Sequence, residues 1–316
     1  MKNKVLIAGG GQLGSRYLQG LAKYGSSLQI YVYDISNNSL DLCKKRWIES
    51  QPLSHHSVFY INELSLLPKT LDLAIVSTTA DVRLSVILDI KAKTKVDNWI
   101  LEKILAQSIN ELDSLRNELI ENNSVWVNTP MFIYPLYRQI KDHSPNRQRI
   151  IANFKGFNGL ACNSIHYIDL INRWNNSRIT EVKTNRLNKS WHPSPRSKFE
   201  EIYGEIKVFY EDKSVLTLSK ELKDKDFLIK IKIGDLVWDV SEKKRLATNN
   251  LGKRICAGTL MQSEMTSDLI YKIFNGLDTF LPTLEQSYYQ HKFYLNSLIK
   301  HKNLFSNEIY NHVQIT

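Results

Sequence analysis

A glycine-rich segment near the start of the 316-residue chain narrows the choice of fold more than any other stretch. It has the spacing G-x-G-x-x-G, follows the apolar run Val5–Ala8 and precedes a helical pattern. In that setting the first glycine makes the tight turn out of a strand, the second lets a pyrophosphate approach the backbone, and the third lets the helix pack closely on the strand. We therefore predict a parallel βαβ unit that holds a dinucleotide on Gly9, Gly11, Gln12, Leu13 and Gly14.

An acidic residue supports the same interpretation. Asp34 lies twenty residues after Gly14, at the end of the second predicted strand. A carboxylate at this position accepts hydrogen bonds from the adenosine ribose and repels a 2′-phosphate. No Arg follows within three residues, so the pattern predicts NAD rather than NADP, with Lys44, Lys45 or Arg46 as phosphate partners if NADP bound instead. The alternative is a glycine turn in the same fold that binds nothing.

The rest of the first half alternates short apolar runs with helical patterns, which is typical of a doubly wound parallel sheet. The predicted strands are Val5–Ala8, Gln29–Tyr33, Val58–Ile61, Leu71–Ser77, Asn98–Leu101 and Val125–Asn128. The predicted helices are Gln12–Tyr24, Asn38–Ser50, Val82–Lys93 and Ser108–Asn122.

In the second half, strands follow one another and alternate apolar with polar side chains, as in an antiparallel sheet with one wet face. These strands are Arg149–Phe157, Ile179–Leu187, Gly204–Tyr210, Ser214–Leu218, Phe227–Ile233 and Leu236–Val240, and the final helices are Gly258–Asn275 and Thr283–Lys300. We predict a Rossmann domain of residues 1–128 and an α+β domain of residues 129–316 with a mostly antiparallel open sheet. The last helix can pack back on the first domain.

The positive charge is concentrated in the second half. Residues 1–128 carry 14 Lys and Arg against 13 Asp and Glu, whereas residues 129–316 carry 28 against 19. An excess confined to one half indicates a solvated basic surface or an anionic partner. Because basic and acidic residues alternate over residues 220–226, without an aromatic-studded stripe, we favour a solvated surface or a phosphorylated small molecule over a nucleic acid.

Several classes of protein are excluded by composition and pattern. No apolar run reaches the roughly 18 residues that span a bilayer, and the apolar run near the N-terminus is shorter than the about 7 residues of a secretory signal. We therefore expect a cytoplasmic protein without a membrane partner. Cys43, Cys162 and Cys256 are isolated, so neither a disulfide framework nor a metal site is predicted.

Two short motifs stand at the ends of predicted parallel strands in the first half. The fourth strand leads into residues 76–83, which keep Thr78 of an I-A-T-P-P-x-x-H motif but replace both prolines and have Arg83 at the position of the His. The fifth strand ends on Glu102-Lys103-Ile104, which matches E-K-P except for the proline.

Two further motifs follow in the second half. Residues 164–170 match G-x-H-x-x-D-L through His166 and Asp169, and residues 281–287 begin a closing helix. Cys162 stands where an Asp is frequent, four residues before the His. Through these motifs, in this order, nearly the whole chain resembles the glucose–fructose oxidoreductase/inositol dehydrogenase (Gfo/Idh/MocA) family.

That resemblance implies an NAD(P)-dependent oxidoreductase that transfers a hydride to or from a sugar or sugar derivative. It implies that Lys103 and His166 are catalytic, that Asp169 contacts or supports the substrate, and that Thr78 and Glu102 contact the cofactor. It also implies a homodimer or homotetramer, formed by the open face of the second sheet.

The chemistry of these side chains fits such roles. An ammonium at the carboxyl end of a parallel strand, as at Lys103, can polarise a substrate oxygen and exchange a proton; the alternative is a solvated lysine. His166 and Asp169 lie one helical turn apart, either as acid/base and orienting partner or as a structural pair. Asn163 can replace the polar contact that Cys162 lacks.

The second half suggests an anionic substrate, for example a nucleotide-activated sugar in surface polysaccharide synthesis. Trp191, Tyr203 and Trp238 could stack on a sugar ring, with core or interface packing as the alternative. The rival interpretation is a non-catalytic NAD(H)-binding sensor or scaffold. Its grounds are the missing proline after Lys103, the absence of the family's Asp at Cys162, and Arg83 in place of the family's His.

Overall fold

The computed structural model of the chain describes residues 2–121 and 124–316, which divide into two compact units. The first unit contains the described residues of Met1–Ala106, Asp113–Asn128 and Leu260–Leu284. The second unit contains Gln107–Leu112, Thr129–Thr259 and Glu285–Thr316. One change of unit thus falls after Asn128, where the sequence predicted the domain boundary. However, residues 107–112 belong to the second unit and residues 260–284 to the first.

The elements from Asn3 to Asn128 follow the predicted alternation of strands and helices. They are β1 (Asn3–Ala8), α1 (Gln12–Leu21), β2 (Leu28–Tyr33), α2 (Asn37–Glu49), β3 (Ser57–Ile61), β4 (Thr70–Leu71), β5 (Leu73–Val76), α3 (Ala80–Lys93), β6 (Lys95–Val96), β7 (Trp99–Glu102), α4 (Ile109–Leu119) and β8 (Val125–Asn128). The predicted end of α4, Asn122, lies outside the described residues. One difference is that the strand predicted as Leu71–Ser77 is divided, since β4 pairs with β6 in a separate ribbon.

The remaining elements include the strand-rich region that the sequence predicts. They are α5 (Pro135–Asp142), β9 (Ile150–Lys155), α6 (Leu160–Asn175), β10 (Ile179–Leu187), β11 (His192–Pro193), β12 (Glu200–Glu201), β13 (Gly204–Tyr210), β14 (Val215–Lys220), β15 (Leu228–Ile233), β16 (Leu236–Ser241), β17 (Leu246–Asn249), β18 (Arg254–Cys256), α7 (Gln262–Phe274) and α8 (Leu284–Leu304). The sequence did not predict α5, β11, β12, β17 or β18.

The first unit is built on a six-stranded parallel sheet in the order β3-β2-β1-β5-β7-β8. Every residue of β5 and β7 is buried, because a doubly wound sheet is covered on both faces. The predicted Rossmann architecture is confirmed. Its strands β1, β5 and β7 all lead their carboxyl ends to the edge at which such sheets bind ligands.

Helix α7 belongs to the first unit because it packs unusually closely on α1. A Cβ atom added at Gly20 would lie 2.5 Å from Thr266 Cβ, and the Ser267 hydroxyl donates a hydrogen bond to the Gly20 carbonyl. Only a glycine permits that approach. The last helix, α8, lies in the second unit.

The second unit contains an eight-stranded sheet in the order β10-β13-β14-β9-β15-β16-β17-β18. All neighbours are antiparallel except β14 and β9, which confirms the predicted mostly antiparallel sheet. Burial alternates along β13 and β15, because one face packs against the core and the other is open. Helix α6 packs on the inner face, where the Tyr210 hydroxyl donates to the Ile168 carbonyl.

Candidate cofactor and substrate sites

The glycine-rich segment has two tight positions and one open one. Gly9 has a φ of +96°, and an added Cβ would lie 2.9 Å from Thr78 N. At Gly14 the added atom would lie 1.8 Å from the Gly9 carbonyl oxygen. At Gly11, by contrast, it would meet no heavy atom of the described residues within 4 Å beyond the chain neighbours. The fold therefore requires Gly9 and Gly14, whereas Gly11 leaves space from which a ligand can reach the backbone.

Asp34 is held rigidly beside this segment. Its Oδ2 accepts a hydrogen bond from Gly10 N at 2.7 Å, and its Oδ1 accepts one from Ser36 N at 2.8 Å. Each carboxylate oxygen has a second lone pair. The half-buried carboxylate at the end of β2 can thus accept further hydrogen bonds, as ribose hydroxyls would supply.

Two observations test whether a dinucleotide fits here. Within residues 2–121 and 124–316, the buried Thr78 hydroxyl has no hydrogen-bond partner, a costly state that a bound polar group would relieve. Helix α1 begins after Gly11, which has no side chain to cap its first N–H groups, and such groups attract phosphate. The residues present therefore fit a dinucleotide. Gly11, Gln12 and Leu13 would face its pyrophosphate and Asp34 its adenosine ribose, and the Thr78 hydroxyl would bind another polar atom of the dinucleotide.

Arg46 is the cation nearest to the glycine-rich segment among the three named above. Its guanidinium donates to the Gln12 carbonyl at 2.9 Å and to Gln12 Oε1 at 2.6 Å. Lys44 pairs with Asp41 and Lys45 with Glu49. The spacing of α2 gives no signal for this contact, because it depends on how α2 packs on α1.

A buried polar network lies beneath the end of β7. The Glu102 carboxylate accepts hydrogen bonds from Tyr17 Oη and from Asn128 Nδ2, both at 2.6 Å, and burial raises the pKa of Glu102. Arg83 is fully buried, donates to the carbonyls of Ile104 and Thr78, and burial lowers its pKa to about 10. The arginine that replaces the family's His therefore ties the end of β5 to the segment after β7.

Lys103 follows Glu102 directly and is half-buried. The Glu102 carboxylate and the Lys103 ammonium attract each other, which works against the raised pKa of Glu102. Both donors bind Oε1 of the Glu102 carboxylate, and contact between Glu102 and a cofactor stays a prediction. Lys103 belongs to the first unit and His166 to the second, so their shared catalytic role also stays a prediction.

His166 and Asn163 line a cavity of about 510 Å³ in the second unit. We name it the first chamber; its other lining residues are Met131, Gly156, Phe157, Asn158, Tyr167, Lys220, Asp224, Lys225 and Phe227. The lining combines hydrogen-bonding groups with aromatic rings, which suits a hydroxylated ligand. The structure thus brings together two of the predicted residues of α6. It adds Lys220, which no motif identifies.

Asp169 lies elsewhere, although it is one helical turn from His166. It is fully buried and accepts hydrogen bonds from Thr129 Oγ1 at 2.9 Å and Gln290 Nε2 at 3.0 Å. Burial raises its pKa to about 6, although Arg173 and these hydrogen bonds work against the rise. The carboxylate joins α6 to α8 inside the second unit, and a direct contact with substrate stays a prediction.

The three candidate stacking aromatics have different surroundings. Trp238 is a fully buried residue whose Nε1 donates to Ser144 Oγ at 3.0 Å, so core packing is the alternative that holds for it. Trp191 lies under the Lys302 ammonium. Tyr203 is stacked on His192, and both rings line a second cavity.

No helix of the described chain is both long enough and apolar enough to cross a membrane. No protein-family model matches the chain, and no curated protein matches it by sequence.

Solved structures match the chain along almost its whole length. A UDP-N-acetylglucosamine 3-dehydrogenase from Acidithiobacillus ferrooxidans superposes with a TM-score of 0.71 at 11% identity, over 97% of this chain and 100% of the other. A myo-inositol dehydrogenase from Lactobacillus casei, in complex with NAD(H) and myo-inositol, gives a TM-score of 0.65 at 12% identity, over 98% and 96%. A biliverdin reductase from Synechocystis sp., in complex with biliverdin and NADP⁺, gives 0.69 at 11%, over 95% and 98%. The fold of this chain is therefore the fold that the Gfo/Idh/MocA resemblance implied, a Rossmann sheet followed by a mostly antiparallel open sheet.

Proposed function

We propose that this protein is an NAD(P)-dependent oxidoreductase of the Gfo/Idh/MocA type, with NAD as the preferred cofactor. The observation that carries the proposal is the glycine-rich segment, in which the fold fills the space around Gly9 and Gly14 and leaves it open at Gly11. Asp34, fixed by two backbone N–H groups, supports the preference for NAD. The solved structures with the same fold include a dehydrogenase in complex with NAD(H) and a reductase in complex with NADP⁺.

The substrate that we propose is a sugar or cyclitol, carrying an anionic group. Two structural neighbours act on a nucleotide sugar and on a cyclitol, as their names state: UDP-N-acetylglucosamine, which is anionic, and myo-inositol, which is uncharged. In this chain, the first chamber supports the proposal with Asn158, Asn163 and His166 as polar groups and with the cations Lys220 and Lys225. A role in surface polysaccharide synthesis would follow from a nucleotide-activated substrate.

A bound nicotinamide would accept the hydride from a carbinol carbon or donate it to a carbonyl carbon. The chain's own residues handle the proton of the substrate oxygen. Lys103 holds a positive charge that stabilises negative charge on that oxygen, and the imidazole of His166 accepts the proton during oxidation or returns it during reduction. Arg83 and the Glu102 network position the backbone around Lys103 through buried hydrogen bonds.

We also propose that copies of the chain pair through the open face of the second sheet. On that face Phe209, Val215 and Ile151 are cross-strand neighbours and form an apolar row. Light scattering of the wild type and of Val215→Lys tests this: a dimer or tetramer that dissociates in the variant supports the proposal, and a wild-type monomer contradicts it.

The experiment that tests the proposed function has two parts. Calorimetry measures the binding of NADH and NADPH, and absorbance at the nicotinamide band measures turnover with NAD⁺ and free sugars, inositols and nucleotide sugars, and with NADH and the matching ketones. Biliverdin with NADPH is included because of the Synechocystis neighbour. Tight NADH binding with turnover of a sugar or cyclitol supports the proposal. Binding without turnover across the panel favours the non-catalytic sensor, and absence of binding contradicts both.

A further inference from the structure

Two cavities of the second unit adjoin each other. The first chamber contains His166 and Asn163, and the second chamber, also about 510 Å³, is lined by Gly159, Leu160, His192, Pro193, Ser194, Pro195, Glu201, Ile202 and Tyr203. Both chambers include Asn158 and Lys220 in their walls. They therefore adjoin at a shared wall that contains Asn158 and Lys220, and we call the two chambers together the groove.

Lys220 carries a charge that the protein positions but does not neutralise. Its Nζ donates to the carbonyl oxygens of Gly156 at 3.2 Å and Asp224 at 2.9 Å. A lysine ammonium has three donors, so one N–H remains for a ligand. Throughout the described ranges, no carboxylate oxygen lies within 4.0 Å of Lys220 Nζ.

The two carboxylates that line the groove, those of Asp224 and Glu201, contact other groups. Asp224 Oδ2 accepts from Glu221 N at 2.8 Å, and Oδ1 lies 3.9 Å from Lys155 Nζ. Glu201 in the second chamber accepts from the backbone N–H groups of Ala161 and Cys162 at 2.7 and 3.0 Å. Its negative charge faces the positive end of α6. Lys225 lines the first chamber alone, so Lys220 is the cation that an anion lying between the two chambers would meet.

The second chamber has a stacked pair of aromatic rings in its wall. The rings of His192 and Tyr203 are stacked, with centroids 4.1 Å apart and an angle of 8° between their planes. Pro193 and Pro195 add rigid apolar surface beside them. Each ring of the pair keeps one face that the other ring does not cover, and stacking on such a face tolerates many ring types.

We infer that the groove binds a sugar phosphate that continues into a second ring, as a nucleoside diphosphate sugar does. The sugar lies by His166 and Asn163, a phosphate oxygen accepts the free N–H of Lys220, and the second ring packs against the His192–Tyr203 wall. A lysine is a frequent point-charge partner for phosphate. The identity of the sugar end as the reacting end rests on the proposed function; the binding of the phosphate and the ring does not.

Calorimetry without cofactor tests the phosphate contact directly. The probes are N-acetylglucosamine, N-acetylglucosamine 1-phosphate and UDP-N-acetylglucosamine, and the variants are Lys220→Met and the control Lys243→Met, which removes the same charge from an exposed position of the turn after β16. We expect both phosphate probes to bind the wild type and to weaken at least about tenfold in Lys220→Met, with less than a twofold change in the control. Equal affinities in wild type and Lys220→Met overturn the inference.

The second ring is tested by comparing the two phosphate probes. UDP-N-acetylglucosamine should bind more tightly than the sugar 1-phosphate, and Tyr203→Leu should remove most of that difference while leaving the sugar 1-phosphate unchanged. A difference that survives in Tyr203→Leu overturns the assignment of the wall. If Lys220→Met does not fold, Lys220→Gln keeps a donor for the two carbonyls, removes the charge and decides the same question.

This test and that of the proposed function fail independently. If the phosphate probes bind in a Lys220-dependent way but the protein does not bind NADH, the proposed oxidoreductase function is contradicted and the proposed ligand of the groove is retained. If the protein binds NADH and turns over an uncharged sugar, but neither phosphate probe binds in a Lys220-dependent way, the proposed ligand of the groove is contradicted. The proposed oxidoreductase function is then retained.

Discussion

The glycine-rich segment of the first unit and the groove of the second differ in how their residues come together. The segment is almost contiguous: six consecutive residues and Asp34 make the turn, the opening and the acceptor. The groove draws its walls from α6, from the β11–β12 hairpin and from loops around β14, so that His166 and Lys220 are 54 positions apart in sequence. A contiguous site can be recognised from spacing alone, whereas a site assembled by packing becomes visible only in the folded chain.

The largest effect that would separate the two regions concerns turnover. Replacement of Lys103 by Met or of His166 by Ala should each lower turnover by about 10²–10⁴, because a general acid–base group typically contributes that much. NADH affinity should hardly change, since neither residue belongs to the glycine-rich segment. Steady-state kinetics on a substrate found by the panel, together with NADH calorimetry, measures both quantities.

The matched controls are Lys95→Met and His143→Ala, which change the same residue types at exposed positions of β6 and of the turn after α5. Unchanged turnover in both test variants would remove the catalytic assignment. A His166→Ala variant that no longer folds would show that the imidazole is structural, and Lys103→Met would then decide alone.

A second prediction separates two glycines of one motif. Gly11→Val should weaken NADH binding about 100-fold, through lost phosphate contacts worth about 1.5–3 kcal/mol each, without lowering the free energy of unfolding. Gly14→Ala should instead lower the free energy of unfolding, by about 1–3 kcal/mol. The reason is that an added Cβ would lie 1.8 Å from the Gly9 carbonyl oxygen. Urea unfolding and NADH calorimetry on both variants check this, and a destabilised Gly11→Val would show that the open space is needed for folding.

Much of the fold could be predicted because the spacing of apolar residues and the positions of turn residues are local properties of the sequence. The parallel sheet, the later antiparallel sheet and Asp34 at the end of β2 all follow from runs of neighbouring residues. The close approach of Gly20 to Thr266 could not be predicted, because a glycine inside a helix gives no sign of what packs against it. For that reason α7 was predicted with the second domain, whereas the structure includes it in the first unit.

The candidate sites show the same limit. The positions of His166 and Asp169, three residues apart, suggest one shared face of a helix, yet His166 lines the first chamber while Asp169 is fully buried between Thr129 and Gln290. Residues three apart differ by about 60° around a helix, which is enough to separate a cavity wall from the core. Lys220 gives no signal in sequence, because its importance comes from the two carbonyls that hold it.

A third prediction concerns the pH dependence of stability in the second unit. The pKa of Asp169 is raised to about 6 by burial, so the folded state binds the proton more tightly than the unfolded state does. This group therefore stabilises the fold at low pH, and that contribution is lost as the pH rises through 6. Linkage gives about 2 kcal/mol between pH 4.5 and 7.5.

Asp169→Asn should remove this dependence. The amide can accept from Thr129, and the buried Gln290 Oε1, which lacks a hydrogen-bond partner in the described part of the chain, can rotate to accept from the new amide. Urea unfolding at pH 4.5 and 7.5 compares the two proteins, with the exposed Asp239→Asn as control. Identical pH dependence in wild type and Asp169→Asn would show that the carboxyl titrates near its ordinary pKa.

The smallest expected effect tests the cofactor preference in the first unit. Asp34 should favour NADH over NADPH by at least about tenfold, because its carboxylate repels a 2′-phosphate, and Asp34→Asn should reduce that ratio by weakening NADH and admitting NADPH. The control is Asp41→Asn, which removes the same charge from a side chain of α2 that is 67% exposed to solvent. It should leave the ratio of NADH to NADPH affinity unchanged. Arg46→Ala tests the alternative that Arg46 binds the 2′-phosphate, since the Arg46 guanidinium already contacts Gln12 in the glycine-rich segment. If the wild type binds NADPH more tightly and Arg46→Ala abolishes that preference, Arg46 and not Asp34 determines which cofactor the glycine-rich segment accepts.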